Sequence, residues 1–153
     1  MGRLTAYANT SVSLFKTQDD LERLLLRHGI SASRWTHFAE ADMHPGLVRF
    51  EFEWLTPNGA RLGFRVDIGY QYEPGPRGGN QGTTREQAGR ALYWHIKNLL
   101  EAVTFGIVDL EQAFLPYLLT ASGQTVYDEA KSRIEALTSG DVAGLLERPR
   151  PPG

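Results

Sequence analysis

Three stretches of the chain predict an α+β fold, in the order β-α-β-β-β-α-α-α, with an antiparallel sheet and helices packed on one of its faces. The first is Arg85 to Phe105, where Ala88, Leu92, Ile96, Leu99 and Val103 recur at the three- and four-residue steps of a helix with one buried side. The second is a pair of alternating runs, Leu47 to Trp54 and Arg61 to Tyr70, each apolar on one face and charged on the other. The third is a leucine-rich helix, Gln18 to His28, with acids near its start and Gly29 at its end.

In chain order, Tyr7 to Phe15 alternates loosely around Val12 and Leu14 and is expected as the first strand. Thr17 is the expected N-cap of the helix that follows, with Leu21, Leu24 and Leu25 as its buried stripe. Ser33 to Glu40 reads as a second strand, and Asp42 to Gly46 as a turn by its Asp, Pro and Gly. The two alternating runs form a hairpin through Pro57, Asn58 and Gly59. Two registers keep both faces matched. Trp54 opposite Phe64 sets Glu51 against Asp67, whereas Trp54 opposite Leu62 sets Glu51 against Arg65 and Arg49 against Asp67. Each attractive pair contributes about 0.2–1 kcal/mol, so the second register is expected.

Glu73 to Thr84, EPGPRGGNQGTT, is too rich in Gly and Pro for regular structure and is expected as a mobile loop. It feeds the long helix, whose start Thr83 or Thr84 can cap with Glu86 or Gln87 as partner. Asp109 starts a short helix that Pro116 limits, and Thr125, with Asp128 three residues on, caps a last helix to about Thr138. The Pro-rich end, residues 147–153, is expected to be extended, with Leu145 and Leu146 as an anchor before it. No composition shift or repeat divides residues 1–153, so a single domain is expected.

Composition narrows the function classes. With no cysteine there is neither a disulfide nor a thiolate metal site, and no apolar run approaches the roughly 20 residues that span a bilayer. A cytoplasmic protein without a membrane partner is the expectation. The formal charge of −2 offers no general attraction to nucleic acid, but the 13 arginines against 3 lysines favour forked contacts to carboxylate or phosphate.

No cofactor motif is present: the Gly-rich loop lacks the Lys-Ser/Thr ending of a P-loop, and GxGxxG is absent. His37 and His44 lack zinc spacing and read as surface histidines, and Ser122 has no nucleophile elbow around it. Glu51, Glu53 and Asp67 share the charged sheet face, where carboxylates can hold a divalent cation for phosphodiester cleavage, but Arg49 and Arg65 lie among them. No catalytic cluster emerges. The candidate binding residues are Arg61, Arg65, Arg77 and Arg85, together with the helical stripe Arg90, Trp94 and Lys97, in which Trp94 is an interface anchor or a ring covered by the C-terminal helices.

The run RALYWHIKNLLEAVTFGIVDLEQAFLPYLLTASGQTV resembles a family of small proteins without assigned activity that phages and integrated mobile elements encode. The matching positions are Arg90 to Leu92, Ile96, Lys97, Leu100 to Val103, Gly106, Ile107, Phe114 to Tyr117, Gly123, Thr125 and Val126. The Gly-rich insert and Trp94 depart from the pattern. The resemblance implies a host-interaction or nucleic-acid-processing accessory of a mobile element, and the arginine bias, the Gly-rich loop and the lack of a catalytic cluster point to a noncatalytic module that binds a protein or nucleoprotein complex. A metal-dependent nuclease and a direct nucleic-acid-binding protein are the alternative expectations.

Overall fold

The computed structural model describes residues 6–8, 10–134 and 136. Helix α1 (Leu14–Arg27) is followed by the antiparallel strands β1 (Ala32–Phe38), β2 (Gly46–Leu55) and β3 (Arg61–Tyr70). Helices α2 (Arg85–Thr104), α3 (Leu110–Phe114) and α4 (Val126–Ala130) complete the order, with a 3-10 turn at Leu115–Tyr117. The class is α+β, and among the described residues the sheet has three strands in the order β1-β2-β3.

The strand expected at Tyr7 to Phe15 is not formed. Ser13, not Thr17, caps α1, its hydroxyl accepting from Lys16 N, and the helix runs from Leu14. Leu14, Thr17, Leu21, Leu24 and Leu25 lie at three- and four-residue steps and are all buried, so the helical period already includes the residues that alternate locally. The free side of β3 is met by Leu118 and Leu119: Leu118 bridges Phe64, and Leu119 N donates to Gly63 O.

The β2–β3 register is Trp54 opposite Leu62, with Glu51 facing Arg65 and Arg49 facing Asp67. Alternation places Val48, Phe50 and Phe52 on one face with Phe64 and Val66, all buried. Leu21, Leu24 and Leu25 of α1, Leu92, Ile96 and Leu100 of α2, and Phe114 of α3 join them in one hydrophobic cluster. Phe114 stands edge-on to Phe52 and Phe64, with ring centroids 5.2 and 5.9 Å away. Helix α2 begins at Thr84, whose hydroxyl accepts from Gln87 N, and a left-handed Gly106 follows its end. Thr125 and Asp128 form the expected capping box of α4, which passes into a 3-10 turn at Lys131–Arg133. Ile134 and Ala136 are again helical, while residues 135, 137 and 138 of the last helix expected to Thr138, the Leu145–Leu146 anchor and the tail 147–153 lie outside the described residues.

Candidate functional site

The charged face of the sheet is an ion-pair lattice fixed by strand register. Glu51, in the middle of β2, faces Arg34 on β1 and Arg65 on β3. Arg34 Nη2 and Nε donate to Glu51 Oε1 at 2.7 and 3.0 Å, and Arg65 Nη2 and Nε donate to Oε2 at 3.0 and 3.1 Å. Burial alone raises the Glu51 pKa, but the hydrogen bonds and charges of Arg34 and Arg65 outweigh it and hold the carboxyl below its ordinary value. Beside it, Arg49 grips Asp67 through two nitrogens at 2.9 and 3.0 Å. Both Glu51 oxygens are therefore occupied by guanidinium groups, and the acidic trio that a cation would need is already neutralised. Among the described residues no group of three or more His, Cys, Asp or Glu is placed to hold a metal.

The segment after α3 turns round the outer edge of β3 onto this face. Arg65 Nη1 donates to Gly123 O at 3.1 Å, and Glu129 holds the same turn by accepting from Thr120 and Ser122 hydroxyls. The result is a cleft of about 390 Å3 lined by Arg49, Arg65, Asp67, Tyr117, Tyr127 and Asp128, among others. Sequence reasoning found the two arginines and Asp67 but not the tyrosines, which flank the bridge of Leu118 to β3 and the chain reversal between Thr120 and Gln124. Tyr117 is further fixed by a 2.7 Å hydrogen bond between its hydroxyl and His95 Nε2; burial lowers the His95 pKa and raises that of Tyr117.

The seven residues singled out from sequence do not converge. Arg61 reaches Glu53 at 3.5 Å, Arg65 belongs to the Glu51 clasp, and Arg85 bonds its neighbour Glu86 at 2.7 Å. Arg90 is structural: only 11% exposed, it donates to Thr17 Oγ1 at 2.9 Å and Asp20 Oδ2 at 2.8 Å, joining α2 to α1. That hydrogen bond, with Lys16 adding to it, holds the Asp20 carboxyl below its ordinary value despite burial. Trp94 is 38% exposed; Lys97 lies 4.8 Å from the ring centroid while reaching towards Glu101. It is the Lys97 ammonium that stands over the ring. Among the described residues, the layer that the C-terminal helices were expected to add does not close over Trp94.

Arg77 differs. It is exposed and has no hydrogen-bond or ion-pair partner among the described residues. Its loop, expected to be mobile, is instead organised by hydrogen bonds. Asn80 Oδ1 accepts from Glu73 N and Gly82 N, Gln81 N donates to Glu73 O, and Gly75 N donates to Gly79 O. Gly78 and Gly79 take left-handed backbone, φ +79° and +80°, and so turn the chain sharply just beyond Arg77. At Gly82 a Cβ would stand 1.9 Å from Gln71 O, so only glycine lets the loop lie against the end of β3.

A shallower apolar concavity of about 660 Å3 opens at the C-terminal end of α2, between Trp54, Val103, Ile107 and Leu110, with Ile107 strongly exposed. No helix among the described residues is long and apolar enough to cross a membrane. No family model, curated protein or solved structure gives a significant match to the chain.

Proposed function

We propose that the protein is a noncatalytic binding module that recognises another protein or a nucleoprotein complex, the accessory role that the resemblance to mobile-element proteins implies. The observation that carries this reading is the distribution of arginine partners. Arg34, Arg49, Arg61, Arg65, Arg85 and Arg90 each bond a carboxylate, whereas Arg77, on a hydrogen-bonded loop, has no partner among the described residues. A guanidinium already held by a carboxylate offers a polyanion little net attraction, because the pair is close to neutral beyond a few ångströms. A free guanidinium on an ordered loop suits a single anchoring contact at lower entropic cost than one on a mobile loop. The half-exposed Trp94 and the apolar concavity beside Ile107 add surface of the kind protein interfaces use.

Neither rival has comparable support. A nuclease centre at Glu51, Glu53 and Asp67 would have to displace four arginines before a cation could enter. Of a basic rim at Arg61, Arg65, Arg77 and Arg85, Arg77 alone is not held by a carboxylate. The test is affinity capture from host lysate with the wild type, Arg77→Ala and Trp94→Ala, reading proteins by mass spectrometry and nucleic acid by staining. Loss of the captured protein with Arg77→Ala is expected. Undiminished capture by both variants would show that the assigned surface is wrong.

A further inference from the structure

The two edges of the sheet are treated differently. On β3, Gly63 O accepts from Leu119 N, so the outer edge is capped. On β1, among the described residues, no segment pairs with the side facing away from β2. Seven consecutive residues, ASRWTHF, form that edge without proline, lysine or glycine. Those are the devices that usually guard an open edge.

Which groups it offers follows from hydrogen-bond alternation, since successive residues of a strand direct their N–H and C=O to opposite sides. Gly63 points away from β2, so its partner Glu53 points away from β3 and towards β1, where it meets Ala32. At the hairpin end, Thr56 N donates to Ala60 O, and this sets the same alternation along β2. Ala32, Arg34, Thr36 and Phe38 therefore bond β2. Ser33, Trp35 and His37 turn their N–H and C=O outward.

We propose that β1 is a self-association edge, and that two copies of this chain pair antiparallel through it about a two-fold axis at Trp35, joining two three-stranded sheets into one of six strands. In this register Trp35 faces Trp35 and Ser33 faces His37, so all the outward groups of these three residues pair, in six hydrogen bonds across the axis. Side chains fit the same register. Arg34 falls opposite Thr36, so no like charges meet, and its guanidinium is already bonded to Glu51 at 2.7 Å. Phe38, 46% exposed, falls opposite the small Ala32. The commonest obstacle to edge pairing, an unneutralised charge directed at the partner, is missing here.

The absence of cysteine from the chain makes the register readable. Ala32 and Phe38 of opposite copies form a non-hydrogen-bonded pair about 4.5 Å apart between Cα atoms, within disulfide range. Within one copy they lie at opposite ends of the strand, about 20 Å apart, and cannot bridge. The full chain should sediment as a dimer that dissociates on dilution, and Ala32→Cys/Phe38→Cys should oxidise to a covalent dimer while Ala32→Cys alone does not. Ser33→Pro removes an outward N–H without touching the bonds to β2, and should raise the dissociation constant more than about tenfold with the sheet signal in circular dichroism unchanged. A monomer at every concentration with no cross-link in the double variant would overturn the proposal. So would cross-linking as efficient in Ala32→Cys alone as in the pair, because that is a different register. A dimer unaffected by Ser33→Pro and uncross-linked in the double variant would place the interface elsewhere and equally overturn it.

Discussion

Replacing Glu51 by Gln tests the charged face as a folding device. The substitution keeps the shape and removes the charge: the amide oxygen can still accept from one guanidinium, but the NH2 cannot accept from the other, so two of the four hydrogen bonds and the charge attraction to both arginines are lost. The Arg34 half contributes little, because that side chain is 72% exposed and water replaces the contact. The Arg65 half weighs more: its side chain is 23% exposed and Glu51 is 11%, so breaking it leaves a half-buried guanidinium short of a partner. With bonds to charged groups contributing about 1.5–3 kcal/mol and the exposed half discounted, Glu51→Gln should cost about 2 kcal/mol, or about 4–8 °C in Tm for a domain of this size. Urea unfolding measures it, with an unchanged slope showing that the folded state is intact. The pH dependence gives a second reading. The Glu51 carboxyl is lowered in the folded state, so its contribution is full above the unfolded value near 4.5 and is lost as pH falls through the folded value. The variant should lack that share of the acid loss. A cost under about 0.5 kcal/mol, or an unaltered acid limb, would refute the argument.

Arg90→Ala should destabilise by about 1–2 kcal/mol in urea, because it leaves Thr17 without its partner and Asp20 with Lys16 alone at the α1–α2 contact, without altering partner capture. Gly46→Ala puts a Cβ 2.1 Å from Tyr70 Cζ; a loss above about 1 kcal/mol is expected, most of it recovered when Tyr70→Ala is added. His95 has a folded pKa below its unfolded value near 6.5, so stability should rise with pH through the window just below 6.5, and His95→Phe should flatten that part of the unfolding profile.

The parts of this structure legible in the sequence are those set by local period and charge. The β2–β3 register followed from matching Glu51 with Arg65 and Arg49 with Asp67, and the caps at Thr84, Asp109 and Thr125 followed from the residues themselves. The misread segment shows the limit. Val12 and Leu14 alternate like a strand, yet Leu14 and Thr17 also continue the α1 stripe, and burial against α2 decides between the two periods. The site was less legible for the same reason. Arg90 reads as a solvent charge until α1 places Asp20 beside it, 70 residues away in sequence, and Arg34 was not visible as a partner of Glu51 before β1 was registered on β2. Tyr117 and Tyr127 reach the cleft only because the chain reverses beyond β3.

The central claim is that, of the candidate binding arginines, Arg61, Arg65, Arg85 and Arg90 are engaged by carboxylates within the protein, leaving Arg77 as the free anchor of a protein-binding surface. The salt dependence of affinity for a DNA duplex tests this most directly, because each phosphate neutralised adds about −0.9 to the slope of log affinity against log salt. With Arg77 alone available, a slope of about −1 is expected, and binding near the weak nonspecific level of about 10⁻⁴ to 10⁻⁶ M at physiological salt. Tighter binding with a slope of about −3 to −4, lost in Arg77→Ala, would mean that Arg61, Arg65 and Arg85 leave their carboxylates for phosphate and would contradict the account.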